Sequence, residues 1–306
     1  MILIEPQSIP PEELDAYSVL ISSNVAETDA GEAEWASGTS YDVGDIVSVL
    51  GDTQRRYESL IDYNQGNDPV TDDGTNWLDL GATNRWRMFD GGSSTRTTNA
   101  DTIEVTIQGN GIVNGIAAFN VQAQTAQVIV TDATDGEVYN ETVSLTDNSN
   151  VSDWYFYFFD PVVYTRDFVL LDLPVYQSAE IEVILDNTGA DARCGQLLLG
   201  SQRPLGITLY GSSVSIRDYS RKEVDDFGNF TVVQRRFSKL VDYDVVIDPS
   251  RVTSVQQTLA RLRATPVVYI GNEGLTETIV YGYYRDFNIN LANFAQAEAT
   301  IEVEGL

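Results

Sequence analysis

Apolar and polar residues alternate through much of this chain with the two-residue period of a strand buried on one face. Between residues 91 and 200, Ile103, Val105 and Ile107 fall on one side of such a strand, followed by Val128-Ile129-Val130, Val143 with Leu145, Phe168 to Leu171 and Ile181 to Leu185. These stretches recur every 8 to 15 residues, and Asp-, Asn-, Gly- and Ser-rich loops separate them at Asp132 to Gly136, Asp147 to Asp153 and Asp186 to Ala190. That spacing, with no helical period, predicts a β-sandwich of the jelly-roll kind. The aromatic run Trp154 to Phe159, ending at Asp160-Pro161, is expected to be a central strand covered on both faces, because exposed it is an aggregation hazard.

After Pro204 strands are expected at Ile207 to Ile216, Phe230 to Asp248, Val267 to Ile270, Ile279 to Leu291 and Ala297 to Glu304. One helix interrupts them near residues 250–263. Asp248 is placed to cap it, Pro249 suits its first turn, Val252, Val255, Leu259 and Leu262 share a face, and Pro266 stops it. Upstream, the Pro10-Pro11 step and the acidic stretch at Glu12, Glu13 and Asp15 suggest an extended N-terminal arm leading to a strand at Tyr17 to Ser22. From Trp35 to about Gly81, short strands and the turn signals Gly44-Asp45 and Gly51-Asp52 describe a compact unit with three separated aromatic rings, Trp35, Tyr57 and Trp77. Two roles are open to that set: the core of a very small module, or a flat face on which sugar rings stack. The expected division is an arm over 1–30, a small module and linker over 31–90, a sandwich over 91–204 and a β-rich domain over 205–306, all-β apart from the one helix.

Charge alters this picture more than composition does. The net charge is −28, a field that repels phosphate backbones and anionic lipid headgroups, so no nucleic acid partner and no membrane insertion are expected. It is unevenly spread: residues 1–100 and 101–200 each carry −13, and the last 106 residues only −2. Such a split suits acidic modules standing in solvent and a nearly neutral end docked on other protein. The single cysteine, Cys194, excludes an intrachain disulfide and reads as a small core residue. The start of the chain has neither a basic n-region nor an apolar run of signal-peptide length, so cytoplasmic synthesis is expected.

Candidate chemistry is sparse. The chain has no histidine, which removes the commonest general base, Ser-His-Asp triads and His-ligated zinc. No phosphate-cradling glycine motif is present, and with 46 acidic residues the chance pairing of two carboxylates says nothing specific about glycoside hydrolysis. Asp72 with Asp73, Asp132 with Asp135, and Asp147 with Asp153 offer oxygen ligands for structural calcium, but none has EF-hand spacing and each reads first as a turn. No catalytic residue, metal ligand or cofactor is therefore expected.

A resemblance enters on Trp35, Thr39-Ser40-Tyr41, Val43-Gly44-Asp45-Ile46-Val47, Tyr57-Glu58-Ser59, Asn67, Pro69 and Trp77. Together they resemble the small chitin- and cellulose-binding modules of bacterial chitinases, which also occur as insertions in bacteriophage tail proteins. There the module is followed by a segment similar to Ala82-Thr83-Asn84-Arg85-Trp86-Arg87-Met88-Phe89-Asp90. The sandwich, with its closing Gln196-Leu197-Leu198-Leu199-Gly200, resembles galactose-binding-like domains, and the C-terminal order of helix and strands resembles the small β-barrels of tail hubs and distal tail rings. The module family implies a glycan-binding strip of Trp35, Tyr57 and Trp77. Just after the tyrosine this chain departs from that family with Ser59-Leu60-Ile61, and Tyr63 is the stand-in. The resemblance implies a non-enzymatic structural component of a phage tail or baseplate, assembled in the host cytoplasm, homo-oligomeric, bound to other tail proteins and touching a host-surface glycan. The alternative is a glycan-binding receptor-recognition protein, free or virion-borne.

Overall fold

A computed structural model describes the chain except residues 12–17, 52, 93, 148–152, 160–162, 178, 225–226 and 292–295. The acidic stretch at Glu12, Glu13 and Asp15 and the Asp160-Pro161 step lie outside the described residues. Strand predominates. The chain divides into two compact units, Gln7–Gly200 and Met1–Pro6 with Ser201–Leu306.

In the first unit, a five-stranded antiparallel sheet runs in the order Gly136–Ser144, Thr125–Asp132, Glu180–Cys194, Thr97–Gln108 and Val19–Ser23. Its register explains the alternation. Val128 pairs Val183, which pairs Val105; Val130 pairs Ile181, which pairs Ile107. Each row presents apolar side chains on one face, the unit of sheet stabilisation. A second sheet supplies Ile116 and Ala118 from Gly115–Phe119, Phe168 from Phe168–Leu170, and Leu197 and Leu199 from the Gln196–Pro204 strand to the same core. Two sheets on one core make the expected sandwich.

Cys194 sits fully buried in this core, where desolvation pushes its thiol up to about 12. The folded protein is expected to resist an aromatic disulfide reagent at pH 8 and to release one equivalent of thiolate only in denaturant. Rapid native-state reaction contradicts that placement.

The Trp154–Phe159 segment corrects an expectation. It is a short helix rather than a covered central strand, with Trp154, Tyr155, Phe158 and Phe159 exposed. Asp153 accepts from the Tyr155 amide at 2.8 Å, and rings four residues apart meet, Trp154 stacked on Phe158 with centroids 6.2 Å apart and Tyr155 tilted against Phe159 at 5.0 Å. A local cap and i,i+4 ring contacts here override β-propensity.

The second unit is a small barrel. Its strands run in the order Ile2–Pro6, Val267–Ile270, Ile279–Asn290, Ala297–Gly305, Phe237–Ile247 and Ile207–Thr208. The Leu205 and Gly206 amides donate to the Met1 carbonyl at 3.0 and 3.4 Å, bringing the last strand back to the first. The first residues are thus barrel wall, not an extended arm: Leu3 pairs Tyr269, Ile4 pairs Val268, and both Leu3 and Ile4 are fully buried. Burial of that apolar stretch outweighs the extended character read from the prolines behind it. The predicted helix is present as a single 3-10 turn, Pro249–Arg251, running into Val252–Arg261. The Asp248 carboxylate caps it by accepting from the Ser250 amide at 2.9 Å. Val255, Leu259 and Leu262 join the barrel core beside Tyr243, Val245 and Ile301.

Candidate functional site

The unit around the candidate aromatic residues is built from a four-stranded sheet ordered Ala33–Glu34, Ile46–Val49, Arg55–Ser59 and Trp77–Ala82, with a short ribbon of Ser40–Tyr41 and Asn64–Gln65. So few residues bury little surface, and large rings supply most of it. Tyr41, Val47, Tyr57 and Trp77 form the core, and Trp35 and Val49 pack against it half-buried. Trp77 is 2% exposed, meets Tyr41 edge to face with centroids 5.5 Å apart, and donates from Nε1 to the Asn67 carbonyl at 3.0 Å. The Tyr41 hydroxyl accepts from the Ala36 amide at 2.9 Å. Burial, and after it the Asp79 charge, raises the Tyr57 phenol above its ordinary range.

Tyr57 and Trp77 therefore hold the module together and present no open ring face, which corrects their reading as sugar contacts. Trp35 keeps part of its ring in solvent. Tyr63 is different in kind, being 85% exposed with a backbone φ of 56°. A left-handed backbone costs a bulky side chain about 1–2 kcal/mol relative to glycine. Two carboxylates lace this turn to its neighbour: Tyr63 N donates to Asp42 Oδ1 at 3.4 Å and Val43 N donates to Asp62 Oδ1 at 3.3 Å. The result is one fully presented ring with acidic acceptors beside it and exposed Val43 across the lace. Aromatic position was readable in the sequence; the lacing aspartates were missed, their only signal being that each borders a turn.

Asp72 and Asp132, from two of the acidic pairs considered for calcium, spend oxygens on their own loops. Asp72 accepts from the Gly74, Asn76 and Trp77 amides at 2.9, 3.1 and 3.1 Å and from the Asn76 side chain at 2.6 Å. Desolvation pushes its carboxyl up, but the donors from Asn76, Trp77 and Gly74 together outweigh it and leave it below the usual carboxylate range. Asp132 accepts from the Thr134 and Asp135 amides at 2.8 and 3.2 Å. Among the described residues no cluster of three or more acidic or cysteine side chains is arranged to hold a metal ion.

The segment after the module is a buried latch. Met88, fully enclosed, belongs to the sandwich core. Asn84 Nδ2 donates to the Thr98 carbonyl at 2.8 Å, the Thr98 amide donates to Asn84 Oδ1 at 2.9 Å, and the Met88 amide donates to Thr97 Oγ1 at 3.0 Å. Arg56, from the module, binds Glu32 through Nε at 2.8 Å to both carboxylate oxygens and reaches Asp29 at 3.1 Å, while Arg87 also pairs with Asp29. Desolvation works against the Glu32 charge, but the Arg56 hydrogen bonds and charge, with Ser48 and Arg87, hold its carboxyl below its ordinary range. The ring-bearing module is thus fastened by an ion-pair network and a threaded core residue.

These observations define a class: an all-β chain with a small aromatic module, a sandwich and a helix-bearing barrel. No family model matches the sequence, and no curated protein does. One solved structure similar to it is chitosan-binding module 1 of a chitosanase/glucanase from Paenibacillus sp. IK-5. That match is 13% identical, covers 38% of this chain and 83% of that chain, and has a TM-score of 0.25, too low for the likeness to bear on function.

Proposed function

We propose that this chain is a non-enzymatic structural component of a bacteriophage tail or baseplate, present in several copies, whose 33–82 module touches a saccharide of the host surface through Tyr63. The observation that carries the saccharide contact is the exposed Tyr63 ring, held outward on a left-handed backbone beside Asp42 and Asp62. An aromatic face takes the apolar side of a pyranose, and carboxylates accept its hydroxyls. The tail assignment is supported by the residues Trp35 to Asp90, in the order that tail proteins with such a module share, and by a second unit that closes as a small barrel.

Retention on insoluble chitin, cellulose and host cell-wall material tests the contact. Full-length wild type is expected to be retained on at least one. Tyr63→Ala is expected to lose at least about tenfold in affinity, the scale of one desolvated ring contact, with its melting temperature unchanged because so exposed a ring leaves no core void. Equal retention of both proteins overturns the role of Tyr63. Immunogold labelling of phage particles from the source tests the other half: label at a tail tip or baseplate supports it, and absence from every particle replaces it with a free glycan-binding protein.

A further inference from the structure

The sandwich is strongly anionic, and its few cations are gathered in one place. Residues 91–200 contain three basic residues, Arg96, Arg166 and Arg193, against 15 acids. Strand register brings the three together from distant parts of the sequence. The Arg193 amide donates to the Gln122 carbonyl at 3.0 Å and the Gln122 amide to the Arg193 carbonyl at 2.8 Å, while on its other side Arg193 pairs Thr98. Residues directly opposed across a ladder point to the same face, so Gln122, Arg193 and Thr98 form one row. That face is the outer one, because Ala192 and Cys194, on either side of Arg193, belong to the core. Arg96 lies two residues before Thr98 and continues the same face. The Arg166 carbonyl accepts from the Val121 amide at 2.8 Å, next to Gln122. Arg96 and Arg193 are half-buried, and Arg166 is exposed.

The fold gives only one of the three a countercharge. Arg193 Nη2 donates to Asp191 Oδ2 at 3.1 Å, in a pair whose side chains are 36% and 51% exposed and which solvent screens. Arg96 and Arg166 are in no ion pair among the described residues. The acids nearest to them in sequence face other donors. Asp90 accepts from the Gly92 amide at 2.7 Å and the Thr95 hydroxyl at 2.9 Å, and Asp167 accepts from the Asn120 amide at 3.1 Å. Desolvation, and after it the charges of Arg193 and Arg166, hold the Arg96 guanidinium below its ordinary value. Like charges held together are unfavourable unless an anion joins them.

We propose that Arg96, Arg166 and Arg193 together bind one phosphoryl group, with the Gln122 side-chain amide beside them as a further donor. Guanidinium forks match phosphate geometry. A carboxylate is filled by a single fork, whereas a tetrahedral dianion has oxygens for three. The surrounding acids narrow the ligand further. A sandwich carrying 15 carboxylates repels an extended polyanion, so the ligand that fits bears an isolated phosphoryl group on an otherwise neutral body. This site is separate from the 33–82 module and does not depend on the role of Tyr63.

Titration calorimetry of the full-length chain with inorganic phosphate, near pH 8 where phosphate is a dianion, reads the site against acetate at equal ionic strength. Wild type is expected to bind phosphate at least about tenfold more tightly than acetate. Arg96→Gln and Arg166→Gln are each expected to weaken phosphate by about tenfold or more, the scale of one charge-assisted contact. Arg166→Lys, which keeps the charge and loses the fork, is expected to fall between. Without phosphate, neither glutamine variant is expected to melt below wild type, because each relieves like-charge repulsion; with phosphate, wild type is expected to gain more in melting temperature than either. Acetate bound as tightly as phosphate, or variants that bind phosphate as wild type does, overturn the site. Polyphosphate is expected to bind no more tightly per phosphoryl unit, and tighter binding overturns the isolated group as its ligand.

Discussion

Trp77→Ala is expected to unfold the 33–82 module while the sandwich stays folded. The indole is 2% exposed, supplies the edge contact to Tyr41, and donates to the Asn67 carbonyl at 3.0 Å. Truncating a buried tryptophan costs about 3–5 kcal/mol, through lost transfer energy and the cavity left behind, and it also removes the donor from a part-buried carbonyl. A module with four buried hydrophobic residues at its centre has little more stability than that to lose. Hydrogen exchange is the discriminating measurement. Amides of Ile46–Val49 and Arg55–Ser59 are expected to lose protection, and those of Thr125–Asp132 and Glu180–Cys194 to keep it. Tyr63→Ala is expected to leave all four strands protected. Were Trp77→Ala to keep its protection and lose only saccharide binding, Trp77 would be a contact and the core assignment would fall.

That contrast between Trp77 and Tyr63 shows where sequence reading stops. Both residues announce themselves as isolated aromatics in a short polar unit, and nothing in their spacing separates the ring that fills the core from the ring that faces water. The separation comes from the backbone: φ of 56° at Tyr63 turns its side chain outward, and a left-handed tyrosine has no sequence signature. Where the governing chemistry is local, the reading fared better. Asp248 and Pro249 mark the helix start because capping needs only the next two residues, and the alternation through Ile103, Val105 and Ile107 names the buried face of that strand.

Non-local pairing was the main loss. Leu3 finds Tyr269 across the length of the chain, and a four-residue apolar start carries no sign of a partner so remote. At Trp154–Phe159 the composition favoured a strand, and contacts between residues four apart decided for a helix. The two-stranded ribbon of Arg221–Val224 and Phe230–Val233 was only half legible: Phe230 to Asp248 was expected as one strand, which the structure divides into Phe230–Val233 and Phe237–Ile247, and the partner Arg221–Val224 was not expected, nor was the exposure of Val224, Phe230 and Val232, which alternate just as core residues do.

Gly282→Ala is expected to be the most damaging single methyl in the barrel. Gly282 pairs Val267 on one side and Gly305 on the other, between two neighbouring strands. A Cβ there meets the Glu304 carbonyl oxygen at 2.0 Å, its carbonyl carbon at 2.8 Å and the Gly305 Cα at 2.8 Å. All three obstacles are backbone, so relief requires prising apart two paired strands rather than turning a side chain. The cost is expected to reach at least about 3 kcal/mol, the upper range of core overpacking, which lowers the melting temperature of a unit this size by roughly 12 °C or more. Gly274→Ala is the control: its Cβ meets nothing nearer than Asn272 Oδ1 at 3.5 Å, and a shift within about 0.5 kcal/mol is expected. Calorimetry of the two variants checks the pair.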